Sequence, residues 1–538
     1  MKLNKLILIT SAILLGTTGA FADDFDSFDD FGSFGGDSSS GSATKLEVNG
    51  TAKTDIRAYV DTSDKDDKDG AEKIDINAIP SASLDLKYSG NKSDLELKLK
   101  LDETTIKNNP VDVIDEAVIR GYFNNLTLEA GKMKIVWGKG DKLHVLDNFN
   151  ADDYSDFIIP DYLDRRISTP MIRAVYSLPV ANINIEGVYT PFLPVDRFAT
   201  NGRWTPAQVG VLTGTVTQMA SGKVADAFTG YTKASGMATA AGIVYQSAGE
   251  AYKKAAAAYQ ANPLDSEKAA TFAASKTAFE AAQAEYEQAT ATLHAAGAKY
   301  MYYLTNASAL SSNKDVIYPN TQTLKYGQFG GRVTATLGQV DLGLSYYNGW
   351  FKQPTINQSK MDGFLDTYLA TGSVSDGEKF LTYDKKQTFG LEASTTIWHF
   401  NLRGEAAYNL TKDTDGTDPY VQNNSVAWLG GFDIDLPFWN ANLNVQETGT
   451  YVLQDTTNNK IVANITTSFA NDKLAPEVTV MYGVENKDLV VMPKFAFKPD
   501  QNLTLTASGM YIWCGDDNSE FKAWENNSFV NLGVSYQF

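Results

Sequence analysis

The sequence predicts an all-β fold, a transmembrane antiparallel β-barrel of about 18 strands (14–18), with an Ala-rich α-helical hairpin inserted in one extracellular loop. Three observations lead to this prediction. Apolar and polar residues alternate in many segments of about 10 residues. Tight turns alternate with long polar loops, and the last alternating segment ends on the aromatic Phe538. The barrel is assigned to residues 45–538.

The first residues have the pattern of a secretory signal peptide, assigned to 1–22. Lys2 and Lys5 precede a short apolar run at 6–15, and an Ala-Phe-Ala cleavage site follows. That run is too short to cross a bilayer as a permanent helix. Residues 23–44 are rich in Asp, Phe, Gly and Ser, a composition that predicts a disordered periplasmic segment. A solvated linker is favoured there over a tether or a segment that reaches into the barrel.

Composition excludes several classes of protein. The net charge of −19 makes nucleic acid an unfavourable partner, because phosphate binding needs a basic surface. The single cysteine cannot form an intramolecular disulfide. Aromatic residues reach 12%, and no apolar run after the signal is long enough for a membrane helix. If the chain spans a membrane, it must therefore do so as a closed barrel.

The strand prediction rests on repeated alternation. Between Leu95 and Asp102, leucines alternate with Glu or Lys, and between Phe432 and Leu436 apolar residues alternate with Asp. A half-buried strand of a soluble sandwich alternates in the same way. The number of segments favours the barrel, since about 18 of them follow one another up to Phe538.

The connections predict the orientation of the strands. Tight turns are expected near Gly90-Asn91, Asn124-Asn125, Pro179, Gly338, Pro437 and Pro499-Asp500. Long loops are expected at 61–78, 138–165, 192–322, 350–384 and 411–424. This order places both ends of the barrel on the periplasmic side. Pro493 does not fit, because it falls inside a strand where it cannot donate a ladder hydrogen bond.

Aromatic residues gather where strands are expected to leave the hydrocarbon, as at Tyr346-Tyr347, Trp350-Phe351 and Phe438-Trp439. Such clusters are typical of interfacial girdles. The last strand has an apolar residue at every second position. These residues are Val530, Leu532, Val534, Tyr536 and Phe538. This ending resembles the terminal signal by which the assembly machinery recognises outer-membrane barrels.

The insertion assigned to 222–303 has a different periodicity. Tyr245, Tyr252 and Tyr259 recur every seven residues, and a second series of large residues follows Asn262-Pro263, with alanines three residues after most of them. Such heptads on either side of a break predict an antiparallel helical hairpin that packs closely through its alanines. Asp265 or Ser266 is expected to cap the second helix. The hairpin could stand up from the barrel or lie across its mouth as a lid.

Residues capable of catalysis are few. The candidates are His144, His294, His399 and Cys514. Their spacing does not suggest a catalytic triad, so no enzyme, no catalytic residue and no cofactor is predicted. The acidic segments at 64–70 and 413–416 are similar to a calcium-binding loop but lack its closing glutamate. No metal site is therefore predicted, and both segments are interpreted as solvated charge, with loose binding of divalent ions by the clustered carboxylates as the alternative.

The stretch from Asp115 to Arg166 contains a loop rich in apolar residues, and such a loop would be unusual if it were fully exposed. We expect it to fold into the barrel and narrow it. The motifs within this stretch are Asp115-Glu116-Ala117, Gly131-Lys132, Trp137-Gly138-Lys139, Asp147-Asn148, Asp152-Asp153-Tyr154 and Asp164-Arg165-Arg166. Over about 60 residues this pattern resembles poorly characterised bacterial outer-membrane porin-like proteins. The resemblance implies a channel and no particular solute, and the helical hairpin departs from that pattern.

We therefore expect a porin that passes small hydrophilic solutes through the bacterial outer membrane. A barrel of this size leaves an aqueous lumen. The expected pore-lining residues are Glu96, Lys98, Lys100, Arg120, Arg173, Arg332, Glu392, Arg403 and Glu405. A constriction loop is expected to carry Asp164, Arg165 and Arg166. Each arginine could instead form an internal ion pair that braces the barrel wall.

Two other functions remain open. The chain could be a surface-exposed adhesin or antigen that is anchored by the barrel and acts through the hairpin. It could also carry hydrophobic compounds, which would require an apolar patch facing the lumen. The expected partners are outer-membrane lipids, the barrel-assembly machinery and small solutes. Monomer and homo-oligomer are both compatible with the sequence.

Overall fold

The computed structural model describes residues 45–60, 74–107, 109–141, 143–179, 182–516 and 519–538. This part of the chain forms two compact units. The barrel unit contains the described residues up to Pro206 together with Thr321–Gln353 and Tyr383–Phe538, and the helical unit contains Ala207–Asn320 and Pro354–Thr382. The predicted signal peptide (1–22), the 23–44 segment and the acidic segment at 64–70 lie outside the described residues.

Among the described residues, eighteen long strands pair in antiparallel fashion into one closed barrel, which confirms the predicted fold class. Their bounds are β1 Lys45–Val60, β2 Ile74–Ser89, β3 Ser93–Asp102, β4 Ile114–Phe123, β5 Leu126–Met133, β6 Thr169–Leu178, β7 Ile183–Thr190, β8 Gln328–Leu337, β9 Val340–Trp350, β10 Lys385–Ile397, β11 Phe400–Leu410, β12 Ser425–Asp435, β13 Asn442–Val452, β14 Thr457–Thr466, β15 Leu474–Gly483, β16 Asp488–Phe497, β17 Leu503–Cys514 and β18 Phe529–Gln537. The ring closes where β18 pairs with β1, from Thr51 opposite Gln537 to Tyr59 opposite Phe529.

The two faces of the sheet differ in chemistry because successive side chains of a strand point to opposite sides. One face presents exposed apolar side chains, such as Leu344 on β9 and Leu532 on β18. The other face carries acidic, basic and amide side chains, many of them buried, including Glu392 on β10 and Gln446 on β13. The alternation in the sequence therefore separates an apolar surface from a polar one.

The connections follow the predicted order. At one end, short turns join strands, as at 124–125, 338–339 and 398–399. The long connections lie at the other end, and they span 103–113, 134–168, 191–327, 351–384, 411–424 and 515–528. Two connections at this second end, 453–456 and 484–487, are as short as turns. The alternation of short turns and long loops is therefore less regular than expected in the last third of the chain.

Pro493 lies within β16, and the strand accommodates it without a change of register. It pairs with Val478 on β15, while on the other side the ladder to β17 stops after Val491 and resumes at Lys494. The missing N–H thus interrupts one ladder over two residues. The strand count does not change there.

The end of the chain completes the closure. The backbone N–H groups of Gly50 and Phe538 each donate to the other residue's carbonyl at 2.9 Å. The Phe538 ring covers Gly50 so closely that a Cβ there would lie 2.2 Å from the ring. A larger residue at position 50 would therefore have to displace the Phe538 ring.

The helical unit contains helices α1 (Ala207–Ala261), α2 (Ser266–Ser312) and α3 (Met361–Thr371). α1 and α2 form the predicted antiparallel hairpin, and Asp265 caps α2 by accepting the N–H groups of Glu267 and Lys268. Aromatic rings from the two helices stack alternately along the hairpin. The stack runs Tyr259, Phe272, Tyr252, Phe279, Tyr245 and Tyr286, with neighbouring centroids 5.2–5.5 Å apart.

α3 packs against the base of the hairpin. Its buried residues Phe364, Leu365 and Leu369 share an apolar core with Val216 of α1 and Leu310 of α2. Within the described residues, no helix is both long enough and apolar enough to cross a membrane.

Two sequence expectations need correction. The hairpin extends beyond the expected range of 222–303, because α1 already begins at Ala207 and α2 ends at Ser312. Among the expected girdle residues, Tyr347 is buried on the polar face, while Trp350 packs against Tyr326 and Tyr383. Period-2 alternation requires that neighbouring aromatics such as 346 and 347 point to opposite faces.

Candidate functional site: the interior of the barrel

The loop between β5 and β6, residues 134–168, lies inside the barrel and is called the inner loop. Its Asp156 carboxylate accepts a hydrogen bond from Arg57 on β1 at 2.6 Å. Its backbone also donates hydrogen bonds to Glu405 on β11. β1 and β11 stand nearly opposite each other in a ring of eighteen strands, so a segment that contacts the polar face of both must lie within the ring. The polar face is therefore the interior face, and the apolar face is the exterior one.

Glu405 fixes one arm of the inner loop. Its buried carboxylate accepts four backbone N–H groups and also contacts one imidazole. Oε1 accepts the N–H groups of Lys139 and Gly140, both at 2.7 Å, and lies 3.2 Å from His144 Nδ1, while Oε2 accepts those of Val145 and Leu146 at 2.8 and 3.3 Å. Hydrogen bonds to an ionised acceptor are stronger than neutral ones. One glutamate therefore anchors this arm to the barrel wall.

Aromatic packing fixes the middle of the inner loop. The rings of Trp137 and Phe149 meet edge to face with centroids 5.1 Å apart, and Phe149 meets Tyr347 of β9 at 5.2 Å. All three side chains are fully buried. The Trp137 indole N–H also donates to Glu186 on β7 at 3.1 Å. The apolar residues that made this loop unusual in the sequence are thus its contacts with the wall.

The expected constriction residues occupy different environments. Arg166 is buried and pairs with Asp147 at 2.6 Å, and Tyr162 donates a hydrogen bond to the same Asp147 carboxylate. Arg165 donates to carbonyl oxygens within the inner loop, and Asp164 is exposed. Burial raises the pKa of Asp147, while Arg166 and Tyr162 act in the opposite direction. Arg166 therefore braces the inner loop internally, through a residue of the same loop.

A ladder of ion pairs crosses the interior face from β3 to β10, with acidic and basic residues in alternation. The pairs are Glu96–Arg120 (2.6 Å), Arg120–Glu129 (2.8 Å), Glu129–Arg173 (2.8 Å), Arg173–Glu186 (2.7 Å), Glu186–Arg332 (3.9 Å) and Arg332–Glu392. Most members thus have a partner on each side, which holds the guanidinium groups in fixed orientations.

The last pair of the ladder spans an intervening strand. Arg332 is on β8 and Glu392 is on β10, so the pair must pass over β9. Gly343 of β9 lies beneath it, where a Cβ would come within 2.6 Å of the Glu392 side chain. A glycine at this position gives the ion pair the space it needs.

The other expected pore residues also lie on the interior face. Lys98 pairs with Glu116 on β4, Lys100 lies near Asp102, and Arg403 pairs with both Asp433 and the inner-loop residue Asp141. The expectation omitted several acidic partners. These are Glu116, Glu129, Glu186 and Asp433. Glu129 and Glu186 follow the same alternation as the named residues, so the pattern in the sequence could have identified them.

The interior face is not polar throughout, because one part of it is apolar. Met481, Val490, Met510 and Ile512 project inward from β15, β16 and β17 and pack around Phe157 of the inner loop and other aromatic side chains. Val490 is fully buried. The protein's own residues thus cover this patch. A hydrophobic compound would therefore find no open apolar surface at this place.

A polar cavity of about 310 Å³ opens between the inner loop and β9–β11, at the end of the barrel where the short turns lie. Lys139 and Arg403 line it together with Asp341 and Asn401. Lys139 Nζ stands 3.8 Å from Asp341. The inner loop therefore reaches from one end of the strands to the other.

The residues that could take part in catalysis make contacts that stabilise the fold. His144 contacts Glu405 and the Tyr162 ring as part of the inner-loop anchor. Cys514 is buried at the end of β17. The Asp413 carboxylate accepts the N–H of Asp418 within its own loop. Among the residues that the structure describes, no three His, Cys, Asp or Glu side chains come together as metal ligands would.

Comparison with known proteins gives likenesses of structure only. No protein-family model and no curated protein matches the sequence, so the resemblance of the 115–166 stretch to porin-like proteins stays a prediction. Similar solved structures include Acinetobacter baumannii OccAB3 (7% identity, TM-score 0.41, covering 92% of this chain and 99% of that one). A BenF-like porin from Pseudomonas fluorescens (9%, 0.39, 92% and 98%) and Salmonella typhi OmpF in complex with daunomycin (8%, 0.36, 92% and 98%) are also similar.

Proposed function

We propose that this chain is a channel of the bacterial outer membrane through which small hydrophilic solutes diffuse passively. The observation that carries the proposal is a closed ring of eighteen strands with an apolar exterior and a charged interior. Barrels of 16–18 strands are wide enough to hold water as well as side chains. A soluble protein of this kind would expose an apolar belt to water at high cost.

The exterior face supports insertion into lipid. Most of the strands have 8–13 residues, which suits the apolar band of about 25 Å that outer-membrane barrels present to lipid. Aromatic side chains lie near both ends of that face, such as Tyr346 and Tyr408 towards the long connections and Trp398 and Trp439 near the short turns. Amphipathic rings favour the two interfaces of a bilayer.

The interior face supports conduction of polar solutes. The ion-paired cations on β3, β4 and β6 keep substantial exposure, as for Lys98 and Arg173. The inner loop narrows the space enclosed by the barrel and adds its own charges, such as Asp141 and Lys139. Selectivity would then depend on the charges and width of the remaining passage.

A planar bilayer recording tests this function. Purified protein should produce stepwise conductance. A change of gel mobility on heating verifies beforehand that the barrel is folded. The Arg173→Ala variant should alter the step size because that side chain lies on the interior face, whereas Lys276→Ala on the exposed surface of α2 should not. Folded, membrane-inserted protein without steps would refute the proposal.

A further inference from the structure

The ion pairs in the middle of the interior face share one asymmetry, which is that the cation is the more exposed partner. This holds on β1, β3, β4 and β6, except for Arg57 on β1, whose side chain is 6% exposed against 37% for its partner Asp156 of the inner loop. The side-chain exposures are 47% for Lys53 against 13% for Asp55, 34% for Lys98 against 13% for Glu116, 44% for Lys100 against 19% for Asp102, and 29% for Arg173 against 7% for Glu186. Arg120, at 25%, likewise exceeds Glu129, at 9%.

The lengths of the side chains explain why the cations are more exposed to solvent than the carboxylates. The carboxylates have short side chains close to the sheet, and the longer Lys and Arg side chains extend over them. Arg120 and Arg173 each bridge carboxylates on two neighbouring strands, so their guanidinium groups cover the acidic groups. A solute that approaches this wall therefore meets positive charge before it meets the negative charge behind.

The ends of the barrel show the reverse order. Asp75 is more exposed than its partner Arg203, and Asp141 is more exposed than Arg403. Asp75 lies at the start of β2, and Arg403 lies near the short-turn end of β11. The acidic character implied by the net charge of −19 is thus found at the mouths and loops rather than in the middle of the wall.

We infer that the passage prefers small anions, such as inorganic anions and small carboxylates, over cations. This inference rests on the proposed function and specifies the class of solute. A wall whose nearest charges are positive raises the local concentration of anions and lowers that of cations. The preference is opposite in sign to the charge of the whole protein.

The reversal potential of single channels in a KCl gradient tests the inference. The chloride-to-potassium permeability ratio of the wild-type protein should exceed 1. The Lys53→Gln, Lys98→Gln, Lys100→Gln triple variant should lower that ratio at least about twofold, since three of the exposed cations are lost. If the triple variant folds poorly, the single variant Lys53→Gln replaces it. This variant changes the most exposed of the three lysines and should also lower the ratio.

The control is Lys276→Gln on the exposed surface of α2, which should leave the ratio unchanged. The preference should also weaken from 0.1 M to 1 M KCl, because the screening length falls from about 10 Å to about 3 Å. Stepwise currents with a wild-type ratio below 1, or a ratio that the triple and single variants both leave unchanged, would overturn the anion preference alone. Absence of stepwise current would overturn the proposed channel and the preference with it.

Discussion

Replacing Glu405 should release one arm of the inner loop from the barrel wall. The carboxylate is completely buried and accepts the N–H groups of Lys139, Gly140, Val145 and Leu146. Glu405→Ala leaves these four donors without an acceptor. Glu405→Gln keeps the shape but places an NH₂ group against two of them, whichever way the amide turns. Both variants should therefore loosen residues 139–146.

The magnitude follows from the number and kind of hydrogen bonds lost. Hydrogen bonds to a charged group contribute about 1.5–3 kcal/mol each, but they are not additive within one cluster. A buried donor left without an acceptor costs about 1–3 kcal/mol, so a total of about 3–5 kcal/mol for the four donors should make local opening about 100-fold to 4,000-fold more frequent. The barrel itself should survive, because Arg57 on β1 and Glu186 on β7 still hold the inner loop at the wall through Asp156 and Trp137.

Hydrogen–deuterium exchange measured on peptides that cover 137–148 checks this prediction, since exchange of these amides reports local opening directly. The matched control is Glu520→Gln, which removes an exposed carboxylate paired with Lys460 and should leave the peptides protected. Unchanged protection in both Glu405 variants, with the barrel folded, would refute the anchoring role.

Three further changes have defined outcomes. Gly343→Val should displace the Glu392 side chain and lower the midpoint of thermal unfolding, at a cost of about 1–3 kcal/mol, whereas Gly430→Val, which meets open space, should not. Tyr252→Ala interrupts the aromatic stack and should destabilise the helical unit by about 1–3 kcal/mol, visible in thermal unfolding followed by circular dichroism at 222 nm. A first-turn backbone N–H holds the pKa of Asp265 below its usual 3.8. Its capping stability is therefore complete above pH 3.8 and is lost as pH falls through the lowered value, so Asp265→Ala should speed exchange of the first-turn amides at pH 7, and this effect should shrink as the pH falls below 3.8.

The strand pattern could be predicted because it depends on local alternation. Each strand needs an apolar face outside and a polar face inside, so the sequence of one strand is sufficient to assign its inward residues. Lys98, Arg120 and Glu392 were identified in this way, and all lie on the interior face. Pro493 shows that a single local exception does not displace a strand that is paired on its other side.

The inner loop could be anticipated only in outline. Its apolar content predicted that it folds inward, but its contacts join residues far apart in sequence, as Leu146 and Glu405 are. No local pattern distinguishes a water-facing Arg166 from one that is buried beside Asp147. The start of α1 was missed for a related reason, because the Ala-rich pattern begins only near Gly222, whereas the earlier part of the helix is held by tertiary packing at Val216.

Bracing and selectivity, which the sequence presented as alternatives for each arginine, are compatible in this barrel. An ion pair fixes the position of a guanidinium group, and a fixed charge shapes the field in the passage better than a mobile one. Arg173 illustrates both roles, because it holds Glu129 and Glu186 together while keeping 29% of its side chain exposed. The sign of the field therefore depends on which partner of each pair stands nearer to water. Composition gives no information on that order, so a net charge of −19 is compatible with the anion preference that we propose.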